Sequence, residues 1–197
     1  MAEDKREEIL AKAVQLFLTK GYEKASMRDL GKAVGIKAPG LYYYFKNKKE
    51  ILQRINDDSW QKFHEMILDE AKKVVDPEER VKLYIRNMIK YQFVLAEKTL
   101  IVDDSLPMRH VKGRKEEERE VIYFLRDALR ELAESKGLRN NINLTLGAFT
   151  LFSMVARIYR WYKPDGPLNL EELIEQMIQL FFYGFYGRED IRELKGD

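Results

Sequence analysis

The stretch FLTKGYEKASMRDLGKAVGIKAPGLYYYFKNKKEIL, residues 17–52, decides the fold. Gly21 stands where the C-terminus of a helix needs a residue that tolerates positive φ. Ser26, with Asp29 three residues on, reads as a capping-box variant that opens a short helix. That helix carries Met27, Leu30 and Val34 inward and stops at Gly35. A third short helix, about Lys37 to Tyr44, begins with Pro39 in its first turn, where a missing amide costs little. Asn47 and Glu50 form another cap pair ahead of a long helix. Two short helices joined by a Gly-containing turn and braced by a helix before them make a helix-turn-helix. Phe17, Leu30, Val34, Leu41 and Phe45 supply its apolar framework. Leu41 and Phe45 lie four apart on one face, which pushes Gly40, Tyr42 and Tyr43 toward the other faces.

Outward from this stretch, helical spacing recurs and no strand-like alternation does. About Asp4 to Lys20, the residues Ile9, Leu10, Ala13, Val14, Phe17 and Leu18 form one stripe. Behind the helix-turn-helix, helices are expected at about Lys48–Val74, Pro77–Glu97, Arg114–Ser135, Ile142–Trp161 and Leu170–Tyr186. Asp76-Pro77, the region of Leu106-Pro107 and Gly113, Gly137, and the Lys163–Pro167 loop separate them. The expected fold is all-α. A helix-turn-helix domain spans residues 1–47, and a helical ligand-binding and dimerisation domain spans residues 48–197.

The chain has 197 residues, enough to bury a real core. With 45% hydrophobic and 35% charged residues, it reads as globular rather than disordered. No apolar run approaches the ~18 residues of a membrane helix, and the charged start, MAEDKREEIL, is no signal peptide. The expected location is therefore cytoplasmic, and the Asn143–Thr145 sequon is a chance match. The net charge of +2 argues for nothing by itself, but its distribution does. Lys20, Lys24, Arg28, Lys32, Lys37, Lys46, Lys48 and Lys49 face only Glu23 and Asp29, a local basic surface suited to phosphate. Catalysis has little to work with. There is no cysteine, and the histidines are His64 and His110. HEMIL at His64 starts like a zinc-protease helix but has Leu68 where the second histidine must stand. No phosphate-binding glycine loop or nucleophile elbow is present. No enzyme, metal or cofactor is expected.

The spacing of Phe17, Gly21, Tyr22, Ser26, Asp29, Leu30, Gly35, Leu41, Tyr42, Phe45, Lys48, Glu50 and Leu52 resembles the N-terminal domain of the TetR family of transcriptional repressors. The resemblance implies that Ser26 and Arg28 lie near phosphate and that Lys37 to Tyr43 form the recognition helix. It also implies that Tyr42 packs on the DNA backbone and that Lys48 contacts phosphate. The candidate DNA-binding set is Ser26, Arg28, Lys37, Ala38, Pro39, Gly40, Tyr42, Tyr43, Lys46 and Lys48, and the partner is a double-stranded operator. Two positions depart from the family pattern. Lys37 replaces a small hydroxyl residue, and Gly40 replaces a residue that often reaches base edges. Direct base readout is therefore thin, and DNA shape or close backbone approach has to contribute.

In this family the C-terminal helices form a dimer interface and an effector pocket. The last two helices carry more apolar residues than one small core can use, so Leu151, Val155, Ile158, Met177, Phe181 and Phe185 are expected in an isologous homodimer interface. Arg157 to Leu173, with Asp104 to Pro107, resembles the subgroup that responds to acyl-coenzyme A thioesters in fatty-acid and sterol degradation. An effector of that kind, expected to be a long-chain acyl-CoA, needs apolar walls and a cationic or aromatic mouth. The candidates are Tyr84, Met88, Tyr91, Phe124, Phe149 and Phe152 for the walls. Arg86, Arg109, His110, Arg157, Arg160 and Trp161 are the candidates for the mouth. A multidrug-responsive repressor and a helical interaction protein without DNA binding are the alternatives. The first needs an enclosed aromatic cavity; the second predicts no salt-dependent duplex affinity.

Overall fold

In a computed structural model, the structure describes residues 2–94, 113–137 and 142–195. Among these residues every regular element is helical, as expected. They form two compact units, one of residues 2–62 with 113–114, the other of residues 63–94 and 115–195.

The first unit holds α1 (Ala2–Lys20), α2 (Met27–Val34), α3 (Ala38–Tyr44) and most of α4 (Lys48–Phe63). Ile9, Ala13, Val14 and Phe17 of α1 are buried on one stripe, with Leu10 and Leu18 at its edge. Gly21 closes α1 at φ 82°, its amide donating to the Phe17 carbonyl at 3.0 Å. Leu30, Val34, Leu41 and Phe45 complete the core together with Ile51, Leu52 and Ile55 of α4. Phe17 and Tyr22 meet edge to face at 5.2 Å, a geometry that favours the ring quadrupoles.

The turn between α2 and α3 rests on two glycines. Gly35 takes the left-handed region at φ 74°, and the Ile36 amide reaches back to the Gly31 carbonyl at 2.9 Å. A Cβ on Gly31 would stand 2.8 Å from the Ile36 carbonyl oxygen. Helix α2 can therefore approach the turn this closely only through a glycine.

The second unit begins with a π-helical turn, His64–Leu68, continued by α5 (Asp69–Lys72). The helix expected through Val74 is thus widened at the very HEMIL segment, and the Met66 carbonyl bonds outward to the Asn87 side chain at 3.0 Å. Asp76 caps α6 (Pro77–Val94) by accepting from the Glu79 amide at 2.8 Å. Helix α7 (Arg114–Ser135) follows, then α8 (Leu144–Val155), a 3-10 turn (Ile158–Arg160) and α9 (Leu170–Lys195). Asn143 of the sequon serves as the α8 N-cap, accepting from Thr145 and Leu146. Asn169 and Glu172 build a capping box at α9.

The helix expected from Ile142 to Trp161 stops instead at Val155. Gln92, fully buried on α6, donates its amide to the Val155 carbonyl at 2.6 Å and to the Met88 carbonyl at 3.0 Å. Its oxygen accepts from the Tyr159 amide at 3.5 Å. One side chain thus satisfies the backbone on both sides of the break, which a buried break requires. Gly147 lets α8 sit tightly in its unit, since a Cβ there would lie 3.2 Å from the Leu129 side chain.

Candidate DNA-binding surface and effector groove

The front of the first unit is organised by caps. Ser26 Oγ accepts from the Asp29 amide at 3.1 Å, and Asp29 Oδ2 accepts from the Ser26 amide at 3.0 Å. The same carboxylate oxygen takes the Ser26 hydroxyl and the Lys20 ammonium, each at 2.6 Å. Lys20 first, then the Ser26 hydroxyl and amide, hold the Asp29 carboxyl far below the usual carboxylate range. The Ser26 hydroxyl proton is therefore directed at Asp29, and its oxygen is taken by the Asp29 amide.

Helix α3 is anchored by Leu41, fully buried, and by Phe45, whose ring carries the Arg6 guanidinium at 5.5 Å. The rest of α3 looks outward. Arg28, Lys37, Pro39, Gly40, Tyr42, Tyr43 and Lys46 are all exposed, and Ala38 is half-buried. Tyr43, at 81% exposed, stands against Tyr44 edge to face at 5.2 Å. Gly40 has no positive φ, and a Cβ built on it would meet nothing within 4 Å. Neither backbone conformation nor packing requires a glycine there. The amide of Lys46 and the Asn47 side chain close a reciprocal cap with Glu50 at the start of α4, as the sequence indicates.

Lys48 differs from its expected orientation toward phosphate. Its ammonium donates to the carbonyls of Tyr22 at 2.5 Å, Ala25 at 2.9 Å and Glu23 at 3.3 Å, and lies 4.2 Å from the Tyr22 ring centroid. Three carbonyls of the α1–α2 turn converge on a point that a lysine at the α4 N-terminus can reach. All three of its N–H donors are used within the protein.

In the second unit, α6 brings Tyr84, Met88 and Tyr91 to one buried face. The Tyr84 ring lies 6.2 Å from that of Phe124 on α7, and Tyr91 meets Phe63 edge to face. Phe124, half-buried, lines an open groove of about 400 Å³ with Lys72, Glu116, Arg119, Glu120 and Tyr123. Glu120 bridges to His64 at 3.1 Å and to Lys72 at 3.9 Å. The remaining effector candidates do not gather at this groove. Phe149 and Trp161 are 52% and 57% exposed, and Arg86 pairs with Glu175 on α9 at 2.8 Å. Arg157 and Arg160 are exposed at the α8–α9 connection, and Phe152 is half-buried on α8. Arg109 and His110 lie outside the described residues. The groove residues Lys72, Arg119 and Tyr123 carry no motif and were not legible; they meet only once α5 and α7 are placed.

The interface candidates need a correction. Leu151, Val155, Ile158, Met177, Phe181 and Phe185 are all buried within a single chain. The unit is large enough to take them, with Phe181 stacked on Phe185 at 5.7 Å. The apolar side chains that α8 and α9 leave outside are Leu146, Phe149, Leu180 and Tyr183, each more than half exposed. Among the described residues no helix is long and apolar enough to cross a membrane, and no His/Cys/Asp/Glu group could hold a metal.

Comparison with known proteins matches residues 9–55 to bacterial regulatory proteins of the tetR family. Residues 74–185, more than half of the chain, match the tetracyclin repressor-like C-terminal domain. The HTH-type transcriptional repressor KstR2 of Mycolicibacterium smegmatis is 25% identical over 190 residues, covering 91% of this chain and 90% of that protein. The fatty acid metabolism regulator protein of Bacillus subtilis is 20% identical over 187 residues, covering 92% and 95%. A crystal structure of AibR in complex with isovaleryl coenzyme A and operator DNA superposes with a TM-score of 0.76 at 27% identity, covering 89% and 97%. A helix-turn-helix unit with exposed basic and aromatic residues, joined to a helical unit of this kind, places the chain in the TetR family: it is a ligand-responsive transcriptional repressor and not an enzyme.

Proposed function

We propose that the chain binds a roughly palindromic operator as a homodimer and is released from it by an acyl-CoA thioester, so regulating fatty-acid metabolism genes. The observation that carries the two partners in this reading is the likeness, over nearly the whole chain, to AibR, crystallised in complex with isovaleryl coenzyme A and operator DNA. The Bacillus subtilis relative adds fatty-acid metabolism as the regulated process. Arg28, Lys37, Tyr42, Tyr43 and Lys46 provide the exposed cationic and aromatic surface of the DNA-facing unit. Leu146, Phe149, Leu180 and Tyr183 provide an apolar face for a second copy. Two recognition helices must reach major grooves about 34 Å apart, so an effector that changes their spacing lowers operator affinity.

The test is a mobility shift with DNA from upstream of the protein's own gene, with and without isovaleryl-CoA and stearoyl-CoA. Release at saturating thioester is the expected result. Unchanged operator binding with every thioester would overturn the effector reading and leave the operator reading standing.

A further inference from the structure

We propose that the Tyr84 hydroxyl is the hydrogen-bond donor that holds the carbonyl oxygen of the acyl effector, reached from the groove past Phe124. This inference rests on the acyl-thioester reading and adds an atom to it. Among the described residues Tyr84 is the largest fully buried side chain, and its hydroxyl has no hydrogen-bond partner there. A buried tyrosine usually finds a partner for its O–H, because the group has given up water. On the same helix another buried polar group is satisfied. Two turns on, Gln92 is equally buried, and its amide engages Met88, Val155 and Tyr159. A phenylalanine at position 84 would fill the same space without a polar atom to strand, so packing does not account for the hydroxyl.

The site is next to an opening. Phe124, whose ring neighbours Tyr84 at 6.2 Å, is half-buried and lines the groove between α5 and α7. Phe124 thus belongs both to the groove and to the surroundings of Tyr84. The chemistry of the acceptor follows from the surroundings. Burial alone pushes the Tyr84 hydroxyl up, with no charged group contributing. A carboxylate brought here would be an uncompensated charge, whereas a thioester carbonyl is a neutral acceptor on an apolar chain. The inferred class is thus an acyl thioester, with the corresponding free fatty acid excluded. Lys72 and Arg119 line this groove together with Glu116 and Glu120, so its charge is balanced.

The experiment compares wild type with Tyr84→Phe in operator release by isovaleryl-CoA, stearoyl-CoA and stearic acid. It also follows the infrared band of a carbonyl-¹³C thioester bound to each protein. Expected for Tyr84→Phe are wild-type operator affinity without effector, a melting temperature equal to or above that of wild type, and about tenfold more thioester needed for release. The wild-type carbonyl band should lie at lower frequency than the variant's, and stearic acid should release neither protein. Equal thioester sensitivity of the two proteins, or a wild-type band at the frequency of an unbonded thioester, would overturn the inference while the thioester reading stands. The wild-type band decides even if the variant folds poorly. A wild type insensitive to both thioesters would overturn the reading and the inference together.

Discussion

Replacing Lys48 by methionine separates two roles that the sequence alone merges. Methionine keeps the apolar stem over Tyr22 and removes the ammonium from three carbonyls. A hydrogen bond from a charged donor contributes about 1.5–3 kcal/mol where it is well buried. Lys48 is only half-buried and its bond to Glu23 is long, so the three together are discounted to about 2–4 kcal/mol. The lost cation–π contact adds about 0.5–1 kcal/mol. For a chain of this length that lowers the melting temperature by roughly 5 to 20 °C, and amide exchange should accelerate in the Gly21–Ser26 turn. The operator assay carries the second half. A phosphate-contacting lysine contributes about 0.9 to the slope of log affinity against log salt. Lys48→Met should leave that slope unchanged, because its ammonium is turned toward the protein. Lys46→Ala, by contrast, should reduce the slope by about 1.8, about 0.9 for each of the two copies in the dimer, with stability within about 0.5 kcal/mol of wild type. A Lys48→Met protein that melts like wild type and has lost about 1.8 of salt slope would refute the clamp.

Two glycines of the helix-turn-helix should respond oppositely to alanine. Gly31→Ala places a methyl against the Ile36 carbonyl and should cost about 2–4 kcal/mol in thermal or urea unfolding. Gly40→Ala meets open space and should stabilise the fold by up to about 1 kcal/mol while weakening operator binding, and equal operator affinity would tell against close approach of DNA there. For Glu78, burial opposes ionisation, but hydrogen bonds from Lys136 and Lys82 win and hold its carboxyl down at about 2. The folded value lies below the unfolded one of about 4.3. Its stabilisation is therefore present above that pH and lost as pH falls toward 2. Glu78→Gln should flatten this part of the acid-unfolding curve, and an unchanged acid limb by circular dichroism would dismiss the linkage. Phe149→Asp with Leu180→Asp should shift the sedimenting species from dimer to monomer while the helical signal is kept. A dimer surviving both changes would place the interface elsewhere.

What the sequence disclosed follows the range of the interactions involved. Gly21, Ser26 with Asp29, Gly35, and Asn47 with Glu50 are read correctly because a cap is satisfied within a few residues. The partners of Lys48 lie 23 to 26 residues upstream, and no local pattern announces three converging carbonyls. Gln92 holds a break 63 residues away, so the long apolar run of residues 142–161 conceals a helix end fixed from outside. Nothing in the local pattern marks Gly31, because its reason is the Ile36 carbonyl oxygen in the turn that follows. The interface error has a different origin. On α9, Leu173, Ile174, Met177, Ile178, Phe181, Phe182, Phe185 and Tyr186 form the buried stripe. Glu171, Glu172, Glu175, Gln176 and Gln179 occupy the opposite face. Following that stripe at helical period isolates Leu180 and Tyr183 as apolar residues on a polar face, the signal that overall apolarity hides.

The same separation of inward and outward demands bears on how α3 meets DNA. Its inward side is complete with Leu41 and the flanking Phe45, and none of Pro39, Gly40, Tyr42 or Tyr43 is spent on the core. A helix of seven residues gains least from a glycine, since helix propensity penalises it by about 1 kcal/mol relative to alanine. Space around Gly40 rules out an internal reason for bearing that cost. On the proposed operator reading, the reason lies with the surface that α3 meets, where a missing side chain would let backbone and DNA come closer. Tyr42 and Tyr43, exposed beside Gly40, would then limit the depth of that approach, and the exposed Lys37 and Lys46 would bracket it with charge. Recognition of this kind depends on groove width and deformability more than on base-edge hydrogen bonds. Operator variants that change the flexibility of steps beside α3 should therefore alter affinity as strongly as variants at the steps it covers.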